Sequence, residues 1–183
     1  MMRSLSWILA GAMTVSGCAG PIETRVQTHQ VVTAPDHNQF TLSPKNAVEN
    51  SDLALARDLV AKSLGERGYQ PSPHASIIVH VAISERPADI AIDAGDKGAK
   101  QSISPAKRQK RIQSCKDQEH RLTIILFDEN RGTKLYEGNA AEYHCNGTIA
   151  QSLPFLVAAA LSGLNRNPTH SPLSSIRTRQ GIE

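Results

Sequence analysis

Arg121-Leu-Thr-Ile-Ile-Leu-Phe127 runs into Asp128-Glu-Asn-Arg-Gly132 and, after Thr133, into Lys134-Leu-Tyr-Glu-Gly-Asn-Ala-Ala-Glu-Tyr143. The first run is rich in β-branched and other apolar residues and reads as a buried strand. The second holds Asn130 and Gly132, which tolerate positive φ, and reads as a turn. The third reads as the return strand of a hairpin. Opposed residues in such a hairpin carry numbers that sum to a constant near 260 to 262, and Cys115 and Cys145 sum to 260. They fall nearly opposite one another at the open end, so a disulfide between Cys115 and Cys145 is expected. Closing a loop of about 30 residues contributes roughly 3 to 4 kcal/mol in the chain-entropy account.

Outward from the hairpin, Ala75-Ser-Ile-Ile-Val-His-Val-Ala-Ile83 is the strongest strand signal, apolar on both faces and ended by Pro87. Before it, Leu53, Ala56, Leu59, Val60, Ser63 and Leu64 recur at helical spacing, with Asn50 or Ser51 as cap and Gly68 as terminator. Arg57, Asp58, Lys62, Glu66 and Arg67 are expected on the wet side of that helix. Gln39 to Ser43 alternates as a short strand, and Val26 to Thr33 is an extended stretch suited to an edge. After the hairpin, a second helix is expected from about Ile149 to Leu161. Pro154 favours a true start near Ser152, because proline fits a first turn better than an interior. These elements predict an α+β fold, an antiparallel sheet of about four strands with two helices packed on one face. The expected organisation is a leader over 1–17, a tether over 18–38, an α+β domain over 39–165 carrying a flexible basic loop at 88–117, and a disordered tail over 166–183.

The N-terminus fixes the expected compartment. Arg3 precedes an apolar run from Leu5 to Val15, too short to span a bilayer, and Val15-Ser-Gly-Cys18 has the form of a lipobox. Cleavage before Cys18 would give its thiol to diacylglycerol and its amine to a further acyl chain such as palmitate, and two chains suffice for stable anchoring. Ala19, rather than Asp, follows the cysteine and points to the outer membrane, on its periplasmic side. With Cys18 acylated, Cys115 and Cys145 remain as an even pair in an oxidising space. The formal net charge of +3 falls to about +2 once Arg3 is lost, too near neutral for nucleic acid as a partner.

Four places resemble a bacterial lipoprotein family catalogued as domain of unknown function 4136. They are the lipobox, the helix ending Leu64-Gly-Glu-Arg-Gly-Tyr69, the strand Ala75-Ser-Ile-Ile-Val-His-Val81, and the hairpin motif Asp128-Glu-Asn-Arg-Gly-Thr-Lys-Leu-Tyr-Glu-Gly138. Ser76 stands where that family has Asp, and Arg131 where it has a small hydroxyl residue. The resemblance implies an α+β envelope domain and supplies no catalytic residues. Physical roles account for the motif residues: Gly132 for the turn, Asp128 for its amides, Tyr136 for cover, Gly138 for a bulge or a close helix approach.

Seven histidines, at 29, 37, 74, 80, 120, 144 and 170, show no helical pair spacing, and there is no C-x-x-C, so no metal site or cofactor is expected from motifs. No nucleophile motif is visible either. A non-enzymatic binding or assembly module is the leading expectation. A small periplasmic hydrolase or metal-binding protein using His80, His120 and His144 is the alternative. Lys97, Lys100, Lys107, Arg108, Lys110 and Arg111 form the candidate contact surface for anions or partners. The partners expected are the membrane, through the lipid, and envelope proteins, lipopolysaccharide or peptidoglycan.

Overall fold

The computed structural model describes residues 20–33, 38–44, 50–94, 101–109 and 115–181. Along them run β1 (Ile22–Gln30), β2 (Gln39–Leu42), α1 (Ser51–Gly65), β3 (Gln70–Pro71), β4 (Ile77–Pro87), β5 (Ile92–Ala94), β6 (Gln101–Ser104), β7 (Gln118–Asp128), β8 (Thr133–His144), α2 (Ile149–Ala160) and β9 (Leu173–Arg179). Seven strands form one sheet in the order β3-β2-β4-β7-β8-β1-β9, and β5 and β6 form a separate ribbon.

The expected antiparallel sheet of about four strands is therefore wrong. The sheet has seven strands and is mixed, because β2 pairs in parallel with both β3 and β4. Between β2 and β4 the chain rises through α1, and a helical crossover returns the next strand in the same direction. The expected tether and tail are also in the sheet. β1 pairs along its length with β8, and β9 pairs with β1, so residues 173–179 are not a disordered tail. Neither strand carries a strong apolar alternation: β1 presents Thr24, Val26, Thr28 and Gln30 to the core, and β9 is exposed almost throughout. Their place comes from backbone pairing, which leaves little trace in hydropathy.

The hairpin β7–β8 pairs from Gln118 opposite His144 to Leu126 opposite Tyr136, then slips by one residue before the turn. Asp128 Oδ1 accepts from the amides of Asn130 (3.0 Å) and Arg131 (3.3 Å), and Gly132 takes φ +62°. Both helices lie on one face of the sheet. The core between them and the sheet joins Ala56, Val60 and Leu64 of α1, Leu153, Leu156 and Ala160 of α2, and Ile77, Val79, Leu122, Ile124, Leu126, Tyr136 and Ala140 of the strands. Gly138 lets α2 come close, since a Cβ there would sit 2.0 Å from the Ala160 carbonyl oxygen. Asn50 caps α1 by accepting from the Leu53 amide at 2.8 Å. Arg57, expected in water, is buried and donates to the Ser43 carbonyl at 2.7 Å. α2 starts at Ile149 rather than near Ser152: the Gln151 side chain accepts from the Thr148 amide at 2.9 Å and begins the helix a turn ahead of Pro154.

The expected flexible loop is partly built. Ala88 is buried, Lys107 donates its amide to the Ala88 carbonyl at 2.7 Å, and Ser104, the last residue of β6, is fully buried. No described helix is long and apolar enough to cross a membrane.

Candidate functional site

The open end of the hairpin carries two buried carboxylates on opposite faces of the sheet. Side chains alternate along a strand, so Glu119 of β7 faces away from the helices while its neighbour His120 faces them. On β8, Glu142 and His144 face the helices and Tyr143 faces away. The cysteines lie just beyond: Cys115 and Cys145 are joined, with Cα atoms 5.4 Å apart.

On the helix face, Glu142 is fully buried. It accepts from Thr24 Oγ1 at 2.5 Å and from Arg179 of β9 through Nε (3.0 Å) and Nη2 (2.5 Å). His144 Nε2 lies 2.9 Å from Glu142 Oε2 and 3.0 Å from Ser152 Oγ. His120 Nδ1 is 2.8 Å from the same hydroxyl, and the two imidazoles stack with centroids 4.6 Å apart. In one proton arrangement His144 Nε2–H donates to Glu142 and Ser152 donates to His120 Nδ1; His120 Nε2 is then buried without a hydrogen-bond partner, with Glu85 Oε2 3.6 Å away. Burial lowers the His120 pKa to about 4, helped by the charge of His144 and opposed by Glu142. Burial raises the Glu142 carboxyl, but the bonds from His144, Arg179 and Thr24 outweigh it and hold the group at about 2. His144 does not bridge Ser152 and Glu142, because the hydroxyl and the carboxylate both meet it at Nε2; the ring nitrogen that accepts from Ser152 is His120 Nδ1, with Glu85 Oε2 3.6 Å from Nε2 of that ring. Ser152 is also closed off from solvent.

On the open face, Glu119 has 1% of its side chain exposed. Arg86 donates to it through Nε (3.1 Å) and Nη2 (3.0 Å), Arg121 through Nε (3.2 Å), and Ser104 through Oγ (2.5 Å). Arg25 Nη2 completes the ring of donors. The register explains how three guanidiniums reach one carboxylate. Arg86 is directly opposite Glu119, and Arg121 is two residues along the same strand face. Arg25 and Arg121 both face Ala141, whose methyl leaves the space between them open. The Arg25 guanidinium lies over the Tyr143 ring, 4.2 Å from its centroid, with Lys107 Nζ at 5.1 Å. Burial raises the Glu119 carboxyl, and the Ser104 hydroxyl, the Arg25 hydrogen bond and the Arg121 charge reverse this and hold it at about 2.

Of the residues expected from sequence to make contacts, Cys18, Lys97, Lys100, Lys110 and Arg111 lie outside the described residues. Lys107 pairs with Asp117 at 2.8 Å, and Arg108 is exposed. His80 is exposed on the open face, whereas His120 and His144 are buried on the helix face, so the three histidines do not meet. Among the described residues no three His, Cys, Asp or Glu side chains gather as metal ligands. The cluster of Arg25, Arg86 and Arg121 on Glu119 was not foreseen. Part of its signal was present: Glu119 and Arg121 share the odd-numbered face of a strand whose even positions include Leu122, Ile124 and Leu126. The pairing that brings in Arg25 left no such trace.

No family model matches the chain, the lipoprotein family it resembles included, and no curated protein matches it. Among solved structures, a PDZ domain protein from Parabacteroides distasonis is similar over 87% of this chain at 9% identity, with a TM-score of 0.53. The chain spans 40% of that protein's length. A PelC dodecamer from Paraburkholderia phytofirmans is similar over 78% of this chain and 97% of its own, at 17% identity and a TM-score of 0.47. A minor lipoprotein from Acinetobacter baumannii is similar over 70% of this chain and 87% of its own, at 14% identity and a TM-score of 0.31. The first of these likenesses establishes a shared fold and nothing about activity.

Proposed function

We propose that the protein is a non-enzymatic lipoprotein of the bacterial envelope, anchored in the outer membrane by acyl chains on Cys18, facing the periplasm and acting as a binding or assembly module. The observation that carries this reading is Val15-Ser-Gly-Cys18 placed four residues ahead of Ile22, where β1 begins. A folded sheet that starts so soon after the anchor is held against the membrane rather than on a long leash. The contact surfaces offered are the open face of the sheet and its β9 edge, where Leu173 and Ile176 are 49% and 66% exposed. An unpaired edge can accept a strand from an envelope protein or from a peptide of the cell wall. The division of His80 from His120 and His144, and the burial of Ser152, His120 and His144 away from solvent, favour binding over hydrolysis.

Labelled palmitate supplied to cells is expected to enter the protein and to be absent from Cys18→Ser. A wild-type protein without label sinks the anchor. Photo-crosslinking in cells from positions 108 and 176, against position 62 as control, is expected to capture one envelope component specifically. Capture at the control level from both positions sinks the binding module.

A further inference from the structure

The open-face cluster holds more positive charge than its buried carboxylate needs. Three guanidiniums face one carboxylate, a surplus of two charges. Lys107 and Asp117 pair beside it. Glu23, on the same face two residues before Arg25, is exposed and makes no ion pair among the described residues. Glu119 is sealed beneath them and fixes Arg25 by Nη2, Arg121 by Nε and Arg86 by Nε and Nη2, while 25% of the Arg25 side chain, 20% of Arg121 and 12% of Arg86 stay in contact with solvent. Arg86 also spends Nη1 on the carbonyls of Pro87 and Ile90 and Nη2 on Ser104, so the donors to spare belong to Arg25 and Arg121. Arg25 Nε is buried and has no hydrogen-bond partner. Guanidinium donors held in fixed positions with net charge to spare are suited to a tetrahedral oxyanion. A phosphate monoester carries close to two negative charges at neutral pH and would cancel the surplus, which a carboxylate would only halve.

The position of the cluster indicates where such a phosphate comes from. From Cys18 to Ile22 is four residues, at most about 14 Å of extended chain, and from Cys18 to Arg25 at most about 25 Å. The cluster occupies the end of the sheet where β1 begins. If Cys18 is acylated, Arg25 is tethered within about 25 Å of its anchor point, which keeps the cluster within reach of the lipid headgroups.

We propose that Arg25 and Arg121, arrayed with Arg86 on Glu119, form a phosphate-binding site that takes the monoester phosphate of a lipid headgroup in the membrane to which Cys18 is anchored, Arg86 adding its charge. Binding there would fix the roll of the sheet on the membrane and turn the β9 edge to a constant direction. The site thus deepens the lipoprotein reading and depends on it for the source of its ligand.

The test uses the acylated full-length product in two arms. In solution, glycerol phosphate is titrated onto the detergent-solubilised protein and followed by the Nε–H signals of its arginines. In membranes, the protein carrying a photo-crosslinker in place of Ile176, the β9 neighbour of Arg25, is reconstituted with phosphorus-labelled lipid. One vesicle set contains phosphatidylcholine with phosphatidic acid, and another contains phosphatidylcholine with phosphatidylglycerol at equal surface charge. Saturable shifts of Arg25, Arg86 and Arg121, and lipid capture that favours phosphatidic acid and falls about tenfold in Arg25→Gln/Arg121→Gln, are expected. Arg121→Lys keeps the charge but loses the fork, and is expected to lie between wild type and the double variant while melting normally. Equal capture on both vesicle sets overturns the site in favour of general attraction to charged membranes. Shifts with glycerol phosphate but no lipid capture overturn the headgroup as its source. The absence of saturable shifts overturns the site altogether. Intact mass settles acylation separately, so an unmodified Cys18 defeats the anchor while the solution arm still judges the arginines.

Discussion

Glu119 and Glu142 sit on adjacent strands at the same end of the same sheet, and each is buried to the last per cent. Their surroundings differ in one respect. Glu142 lies under α2, its charge matched by Arg179 and its remaining bonds made by Thr24 and His144. Glu119 faces outward, under three arginines that keep an edge in water. The same group, buried by the same fold, thus serves as a closed latch on one face and as the base of a charged surface on the other. Which role it takes depends on whether a helix covers that face. A covered face admits only as much charge as it neutralises, because an unpaired charge there has no water to turn to. An uncovered face tolerates a surplus.

Removing each carboxylate in turn tests that contrast most directly. Glu142→Gln takes the counter-charge from Arg179, whose side chain is 14% exposed, and the hydrogen-bonded carboxylate from the buried histidine pair, and is expected to lower stability by about 3 to 5 kcal/mol. Glu119→Gln leaves three arginines that can turn toward water, and is expected to lower it by about 1 to 3 kcal/mol. Urea unfolding of the two variants under one set of conditions gives the ranking, and a larger loss for Glu119→Gln would reverse the argument.

Acid sharpens the comparison further. His120 has a folded pKa near 4 against 6.5 unfolded. Between these values the unfolded chain takes up a proton that the native state refuses, so stability falls as pH drops through that window. Both glutamates are held at about 2 against 4.5 unfolded, so their contribution is present above 4.5 and is lost as pH falls toward 2. His120→Gln is therefore expected to flatten the urea midpoint between pH 6.5 and 4 and to leave the lower limb in place. An unchanged upper limb would show that the helix-face cluster is not what titrates there.

The smallest effect belongs to the exposed rim. Arg108→Gln is expected to move the midpoint by less than about 0.5 kcal/mol, and a larger shift would mean that Arg108 shares in the cluster.

The hairpin, the helix from Ser51 and the pairing of Cys115 with Cys145 were legible because each rests on local chemistry: apolar runs, a capping asparagine, a turn glycine, and the arithmetic of a two-stranded register. β1 is legible only as the extended stretch from Val26, suited to an edge within an expected tether, and β9 leaves no signal within the expected tail. Thr24, Thr28 and Gln30 face the core through hydrogen bonds rather than hydropathy, and β9 buries almost nothing. The candidate site followed the same division. Lys107 and Arg108 stood out as part of a basic run, whereas Arg25, Arg86 and Arg121 lie 35 to 96 positions apart along the chain, and nothing local joins them.

The amino-acid sequence by itself determined the strands of the hairpin, its register to within two residues, the two helices and the expectation of an anchored N-terminus, because all of these are written in neighbouring residues. Tertiary structure alone decided that the sheet has seven strands, that α1 makes part of it parallel, and that three distant arginines share one carboxylate. Those depend on backbone hydrogen bonds and buried charge, which any residue or any Glu can supply and which acquire meaning only once distant segments lie side by side.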